Sequence, residues 1–261
     1  MASVAESVPK EEQAGRRGKR WVPLEANPDV LNSFAQKLGA VNIGGTESHH
    51  SGGGYSFQDV YGLDEELLAM VPQPVLAVIL LYPLTEASET ARLEELARAK
   101  QDAAAARGSV FYMKQTIGNA CGTIALLHCI GNNTDSVSFK DGSFLDEFVK
   151  STDDFSPEAR GEYLENPPEG GPSIDAIHAD AAHQGQTEAP SVDDAINLHF
   201  VAFVEHEGGL WELDGRRAGP VYHGETTPQS LLHHVAAVVK AEYISKSDSN
   251  DFSLMALAAT A

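Results

Sequence analysis

The spacing of apolar residues predicts a chain that alternates between strands and helices. Residues 75–82 (VLAVILLY) form a continuous apolar run between two prolines, which is typical of a central strand buried on both faces. The sequence NPD at 27–29 precedes apolar residues at helical spacing, so we expect a helix to begin there. Both patterns indicate a packed core.

The C-terminal part of the chain predicts a sheet. Residues 197–205 alternate between polar and apolar, and two glycines separate them from residues 210–213, which indicates a β-hairpin. Residues 221–223 and 252–258 predict further strands. Because few helices lie between these late strands, we expect a mainly antiparallel sheet and a mixed α/β fold.

A buried helix and a long loop are also expected. The sequence ACGTIALLHCI after Asn119 is apolar almost all round, which indicates a buried helix. Residues 43–56 are rich in Gly, Ser and His and should form a flexible loop. Residues 166–194 show little apolar periodicity, and a loop of this length in a compact domain is often functional. The remaining predicted elements are a strand at 110–113, short structure at 63–70, and helices at 86–107, 143–150, 157–164 and 228–244.

The chain of 261 residues is expected to form one domain, spanning 21–261, after a disordered tail at 1–20. The start is polar and charged, unlike a secretory signal, and no run of 18 apolar residues predicts a membrane span. The two cysteines, Cys121 and Cys129, lie about 12 Å apart along one predicted helix. That exceeds the ~7 Å limit for a disulfide. We therefore expect a disulfide-free protein of the cytoplasm, and also of the nucleus.

The formal net charge of −20 argues against nucleic acid or an anionic membrane as a partner, because both attract basic surfaces. It suits a basic partner. The alternative is that the acidity serves only solubility.

The first candidate for chemistry is Cys121. The exposed N–H groups and dipole of a helix N-terminus stabilise a thiolate, and Cys121 follows a Gly-Asn turn at such a position. Cys129 lies at the opposite end of the helix and is expected to be an inert core residue. Two helical turns separate the sulfurs, so the pair cannot share a zinc ion. The pair His49–His50 lacks further ligands nearby, and we expect no metal and no cofactor.

Acyl transfer also needs donors for an oxyanion and a base. Gln115, six residues before Cys121, can direct its side-chain amide at the developing charge, with the Cys121 N–H as second donor. Gly122 would let substrate approach the backbone closely.

Among ten histidines, His199 stands out because it begins an apolar strand. A hairpin turning near residues 207–209 places Asp214 opposite His199 or one position beyond it. Cross-strand neighbours lie ~4.5–5.5 Å apart, so Asp214 can orient the imidazole. A purely structural histidine beside an aspartate in a turn is the alternative.

These motifs resemble the ubiquitin C-terminal hydrolases, a family of papain-like cysteine deubiquitinases. QTIGNACGT (115–123) resembles the segment of the nucleophile, and LHFVAFVEHEGGLWELDGR (198–216) resembles the His/Asp hairpin. WVPLEANP, GQTEAPS and HGET match as well, and the likeness is to the short, single-domain members. The resemblance implies that Cys121 is the nucleophile, His199 the general base and acid, Asp214 the orienter and Gln115 the oxyanion donor.

The resemblance further implies an α/β/α fold with a central antiparallel sheet, a knotted chain, and a crossover loop within 166–194 that straddles the active site. Such a loop restricts leaving groups to small or unfolded adducts. The departures from the family pattern are the insert at 43–56 and NPPEGG at 166–171. The residues that match ubiquitin contacts are Pro23, Leu24, Glu25, Ala26, Asn27 and Pro28; Gly185, Gln186, Thr187, Glu188 and Ala189; and Asn250, Asp251 and Phe252.

Three functions are compatible with these features. The first is a thiol hydrolase that cleaves peptide, isopeptide, ester or thioester bonds at the C-terminal glycine of ubiquitin, or of a ubiquitin-like modifier. The second is a ubiquitin-binding protein with little turnover, and the third is an acyl hydrolase with an unrelated small substrate. For the first we expect a monomer whose acidic charge attracts the basic tail of ubiquitin.

Overall fold

A computed structural model of the protein describes residues 18–44, 54–86, 88–90, 93–94, 110–188, 190–192, 194 and 196–260. Most of the predicted tail at 1–20, of the loop at 43–56 and of the helix at 86–107 lies outside these residues. No helix in the described ranges is long and apolar enough to cross a membrane.

One six-stranded sheet organises the described residues. Its strands are β1 (Tyr55–Asp59), β2 (Val75–Pro83), β3 (Leu198–His206), β4 (Gly209–Leu213), β5 (Val221–Glu225) and β6 (Ser253–Ala259). Their order is β1-β6-β2-β3-β4-β5, and every neighbouring pair is antiparallel, which confirms the predicted sheet. β2 lies between β6 and β3, as its two-sided apolar run predicts.

Helices cover both faces of the sheet. They are α1 (Pro28–Leu38), α2 (Glu65–Leu68), α3 (Cys121–Gly131), α4 (Phe144–Ser151), α5 (Pro157–Glu165), α6 (Asp175–Ala182) and α7 (Leu231–Val238). Ala77 and Ile79 of β2 face a core shared with α1, α3 and α4, whereas Val78 and Leu80 face a core shared with α2 and α7. The described residues therefore form the expected three-layer α/β/α arrangement, with helices on both sides of the sheet.

Local chemistry explains where two of these elements begin and turn. Asn27 accepts a hydrogen bond from the Asp29 N–H (2.9 Å) and caps α1, whose first residue is Pro28. The β3–β4 hairpin turns at Glu207 (φ 50°) and Gly208 (φ 78°), the left-handed pair that a two-residue hairpin loop requires. Both the helix start and the turn confirm the sequence predictions.

Four predictions need correction. The strand predicted at 110–113 is not a strand: the N–H groups of Phe111 and Met113 bond to the side chains of Asn132 and His128 instead of a ladder. β1 begins inside the predicted loop at 43–56. The predicted loop at 166–194 contains α6. The C-terminal helix is regular only to Val238 and continues as a π turn and a 3-10 turn to Lys246.

Candidate active site

Cys121 is the first residue of α3, so its thiol lies at the helix end where backbone N–H groups lack intrahelical partners. The turn before it depends on Asn119, which has a positive φ of 61°. The Asn119 amide donates to Trp21 O (3.1 Å) and Val192 O (3.3 Å), and therefore joins the N-terminal segment and the predicted crossover loop to this turn. The strained residue is held by its own side chain, and the thiol follows at a fixed position.

His199 and Asp214 form a buried pair, with His199 Nε2 2.8 Å from Asp214 Oδ1. Their register differs from the prediction. Leu213 is opposite Ala202, so the ladder carries Asp214 to a position opposite Val201, two residues from His199. Side chains two residues apart share one face of a sheet, and the two groups meet diagonally.

The bond to Asp214 leaves Nδ1 as the His199 nitrogen for the hydrogen bond with Cys121. Burial by itself raises the pKa of the Cys121 thiol. The hydrogen bond and charge of His199, with the N–H groups of Phe200 and Gly122, outweigh burial and bring the pKa below its usual value. The geometry favours a thiolate beside an imidazolium.

Asp214 fixes the charge state of His199. Burial lowers the pKa of His199, but the charge and hydrogen bond of Asp214, together with Cys121, raise it to about 9. The pKa of Asp214 itself is lowered: burial acts against ionisation, and His199 outweighs it. Asp214 Oδ1 also accepts from Arg216 N (2.9 Å), and its carbonyl accepts from the Tyr112 hydroxyl (2.7 Å). The carboxylate is thus anchored independently of the histidine.

Gln115 is held beside the nucleophile's turn by two hydrogen bonds. Its N–H donates to Gly215 O (3.0 Å), and its Nε2 donates to Ile117 O (3.1 Å). A Cβ on Gly215 would stand 3.0 Å from Gln115 N, so the close approach depends on this glycine. Nε2 has a second hydrogen, which can serve an oxyanion, whereas the buried Oε1 has no hydrogen-bond partner among the described residues.

Gly122 does not open a path for substrate as predicted. A Cβ there would lie 3.2 Å from Leu24 Cβ and 3.3 Å from Phe200 Cδ2. The space beside Gly122 is therefore filled by the protein's own N-terminal segment and β3. The glycine serves the packing of α3 against them.

Thr123 and His178 form a buried link that the sequence did not predict. Thr123 Oγ1 lies 2.8 Å from His178 Nδ1, and His178 Nε2 lies 2.8 Å from Val22 O. Trp21 stacks on the imidazole at 4.2 Å. Because burial lowers the pKa of His178 to about 4, the ring is neutral and donates through Nε2. The link ties α6, the N-terminal segment and the first turn of α3 together.

A second His–carboxylate pair lies on the same face of the sheet as the first. Glu212 Oε2 is 2.8 Å from His223 Nε2, and Glu212 lies on β4, two residues before Asp214. A cavity of about 360 Å³ adjoins both pairs, and Asp214, Glu212 and Phe252 contribute to its lining. The alternation in Glu-Leu-Asp was the only sequence indication that two acids share a face.

The remaining cysteine and His128 lie in the core, as predicted for the buried helix that carries them. Cys129 is fully buried, burial raises the pKa of its thiol far above the usual value, and both cysteines are free. His128 accepts from Met113 N (3.1 Å), and burial lowers its pKa to about 4, so it is structural. His49 and His50 lie outside the described residues. Within the described ranges, no group of three His, Cys, Asp or Glu side chains could hold a metal ion.

The residues predicted to contact ubiquitin lie on three segments. Leu24 is buried. Glu25 accepts hydrogen bonds from the N–H groups of Gln186 and Thr187, so the segment at 23–28 contacts the segment that begins at Gly185. Ala189 lies outside the described residues. The third segment immediately precedes β6, at the end of the sheet where β3 begins. It comprises Asn250, Asp251 and Phe252. Their contact with substrate stays a prediction.

Comparisons with known proteins identify the family of the chain. A family described as "Ubiquitin carboxyl-terminal hydrolase, family 1" matches residues 21–244. "Ubiquitin carboxyl-terminal hydrolase 3" of Arabidopsis thaliana is 44% identical over 92% of this chain and 94% of its own length. "Ubiquitin carboxyl-terminal hydrolase isozyme L1" of Rattus norvegicus is 40% identical over 84% of this chain and 89% of its own.

Among solved structures, the UCH37 catalytic domain of Trichinella spiralis, bound to ubiquitin vinyl methyl ester, superposes with a TM-score of 0.67 at 22% identity. The superposition covers 93% of this chain and 96% of the UCH37 catalytic domain. At this identity the likeness supports the fold, and the sequence matches support the family. Because the family model spans residues 21–244 and the two relatives are at least 40% identical over most of the chain, the chain belongs to ubiquitin carboxyl-terminal hydrolase family 1.

Proposed function

We propose that this protein is a cysteine-type deubiquitinase that hydrolyses the bond after the C-terminal glycine of ubiquitin, with Cys121 as nucleophile. The main support for the proposal is a pair of buried hydrogen bonds, one between the Cys121 thiol and His199 and one between His199 and Asp214. Family membership supplies the substrate, and this geometry supplies the chemistry.

The first half of the reaction makes a thioester. The Cys121 thiolate attacks the glycine carbonyl carbon, and the negative charge moves to the carbonyl oxygen. The free Gln115 Nε2 hydrogen and the Cys121 N–H stabilise that oxyanion. His199 then donates its Nδ1 proton to the leaving amine as the C–N bond breaks.

The second half regenerates the thiolate. His199, now neutral, takes a proton from water as the water attacks the thioester carbonyl. The C–S bond breaks and the Cys121–His199 ion pair is restored. Ubiquitin leaves with a C-terminal carboxyl group, which releases the second proton of the water to solvent and becomes a carboxylate. Asp214 remains ionised throughout and keeps the imidazole oriented.

The leaving group should be small or unfolded. Asn119 Nδ2 bonds to Val192 O, which brings the C-terminal part of the crossover segment (residues 166–194) onto the turn before the nucleophile. A bulky folded adduct would have to displace this segment. We infer that small C-terminal adducts and short tails are better substrates than ubiquitin on folded proteins.

The test is to react the protein with ubiquitin bearing a C-terminal electrophile and to map the adduct by mass spectrometry. We expect one adduct at Cys121, lost in Cys121→Ala and retained in the matched control Cys129→Ala. Ubiquitin binding without turnover of a C-terminal amide would instead indicate a ubiquitin-storage protein. Inertness toward ubiquitin with hydrolysis of simple esters would indicate an unrelated acyl hydrolase.

A further inference from the structure

The carboxylate of Glu25 joins the N-terminal segment to the crossover segment. We propose that Glu25 is a latch that holds residues 185–187 closed, and that it thereby sets the largest adduct the enzyme releases. This inference rests on the proposed function for its consequence, but the latch itself is a property of the free protein.

Both carboxylate oxygens of Glu25 accept hydrogen bonds from the crossover segment. Oε1 accepts from Gln186 N (3.1 Å), and Oε2 accepts from Thr187 N (2.9 Å) and from the Thr187 hydroxyl. Asn27 Nδ2 donates to Oε1 (3.1 Å) and orients the carboxylate from its own segment. Hydrogen bonds to a charged acceptor are about twice as strong as neutral ones, so three of them on one carboxylate form a localised fastening.

The backbone of the crossover segment is shaped to admit this carboxylate. A Cβ on Gly185 would lie 2.5 Å from Glu25 Oε2 and 2.9 Å from Glu25 Cδ. A side chain at position 185 would therefore push the carboxylate away from Gln186 and Thr187. The glycine and the glutamate form one contact.

The charge state of Glu25 makes the latch insensitive to ordinary changes of pH. Partial burial raises the pKa of this carboxyl, but the hydrogen bonds from Thr187, Asn27 and Gln186 outweigh burial and lower it to about 2. The carboxylate is therefore ionised wherever the enzyme is active. The latch must open by movement of the crossover segment or by a competing donor, not by protonation.

The start of α6 is fastened separately. Asp175 accepts from Trp21 Nε1 (2.9 Å) and from Lys19 Nζ (2.8 Å), and His178 bonds to Val22 O (2.8 Å) and Thr123 Oγ1 (2.8 Å). These contacts lie before residue 183 and do not depend on Glu25. Loss of Glu25 should free residues 185–187 and leave α6 in place.

The test uses three variants of the full-length protein. Glu25→Gln replaces one acceptor oxygen with an NH2 group that faces N–H donors. Thr187→Val removes only the hydroxyl, and Thr187→Ser keeps the hydroxyl as the matched control. Because Glu25 and Thr187 are also predicted ubiquitin contacts, the readout must cancel any effect on ubiquitin binding.

The first readout is amide hydrogen exchange of the free protein. We expect exchange at residues 186 and 187 to accelerate about tenfold in Glu25→Gln, as for the loss of a hydrogen bond to a charged group, and less in Thr187→Val. Exchange in α6 should stay unchanged. Unchanged exchange at 186–187 in Glu25→Gln would overturn the latch, whether or not the protein proves to be a deubiquitinase.

The second readout is a ratio of kcat/KM values, for ubiquitin linked to a folded protein over ubiquitin linked to a small fluorogenic amine. Both substrates carry the same ubiquitin, so its binding cancels. We expect the ratio to rise about tenfold in Glu25→Gln, to rise less in Thr187→Val and to stay at the wild-type value in Thr187→Ser. Faster exchange with an unchanged ratio would overturn the role in adduct size. A wild-type protein that turns over neither substrate would refute the proposed function instead.

Discussion

His199 Nε2 lies 2.8 Å from Asp214 Oδ1, although the register of β3 and β4 carries Asp214 to a position opposite Val201, two residues from His199. The diagonal contact brings a carboxylate that is already held by Arg216 N to the imidazole. The histidine is thereby oriented by a group that does not depend on it, and this relationship can be tested directly.

Asp214→Asn should lower kcat/KM by about 10²–10⁴, the usual contribution of positioned acid–base catalysis. The amide removes the charge that raises the pKa of His199, so the basic limb of the pH–rate profile should move to lower pH. Steady-state kinetics from pH 5 to 11 measure both effects.

Glu212→Gln is the control for Asp214→Asn. It neutralises the neighbouring buried carboxylate, which pairs with His223 rather than His199. We expect the basic limb to stay in place. Equal shifts in both variants would mean that the charge of the cluster, and not the Asp214 contact, sets the pKa of His199.

In the wild-type protein, kcat/KM should fall above about pH 9, where His199 loses its proton. On the acid side it should fall where Cys121 becomes a thiol, at a pH below the usual pKa of cysteine. A basic limb near the ordinary histidine value of 6.5 would contradict the ion pair.

The raised pKa of His199 also makes the stability of the protein depend on pH. The pKa of His199 is raised from 6.5 to about 9 by folding, so the stabilisation is complete below pH 6.5 and is lost as pH rises through 9. Folding lowers the pKa of Cys121, which changes stability in the opposite direction, so the measurement is made in Cys121→Ala. Urea denaturation of this variant at pH 6, 8 and 10 should show a falling free energy of unfolding. A His199→Ala variant should lose this part of the pH dependence.

Gln115→Ala should reduce kcat by about 10²–10³ with little change in thermal stability, because one oxyanion donor acts only in the transition state. Gln184→Ala, which changes an exposed glutamine of the crossover segment, is the control. A loss below twofold would remove Gln115 from the mechanism.

Thr123→Val should destabilise the protein by about 1–3 kcal/mol, because it leaves the buried His178 Nδ1 without its donor. Thr123→Ser keeps the hydroxyl and should retain most of the stability. Urea midpoints of the two variants measure the difference. Equal stability of Val and Ser at this position would show that the hydrogen bond contributes nothing.

Activity should fall with salt through substrate capture, because a chain of net charge −20 attracts a basic substrate tail and salt screens that attraction. We expect KM to rise between about 20 and 300 mM ionic strength while kcat stays constant. A kcat/KM independent of salt would refute electrostatic capture.

The sequence identified the groups whose position depends on local rules. A thiol at a helix start and a histidine at the head of a hairpin are local patterns, so Cys121, His199 and Asp214 were predicted as one site. The exact register was not, because a diagonal contact depends on side-chain reach. The packing beside Gly122 could not be predicted either, because its neighbours Leu24 and Phe200 are distant in sequence.

The contacts that hold the crossover segment could not be predicted. Thr123 and His178 lie far apart in the chain, and α6 has alanines and polar residues where an amphipathic pattern would have revealed a helix. Its position depends on the stacking of Trp21 on His178 and on the Asp175 hydrogen bonds. Long-range pairs of single polar groups leave no periodic pattern in a sequence.

β6 is the last strand among the described residues, yet it lies inside the sheet between β1 and β2. During synthesis neither neighbour can gain its partner until residues 253–259 have emerged from the ribosome. The sheet therefore cannot be completed before these residues are available, and a nascent chain or a product truncated before residue 253 exposes two unpaired apolar strand edges. Such a product should be a substrate for chaperones and for degradation.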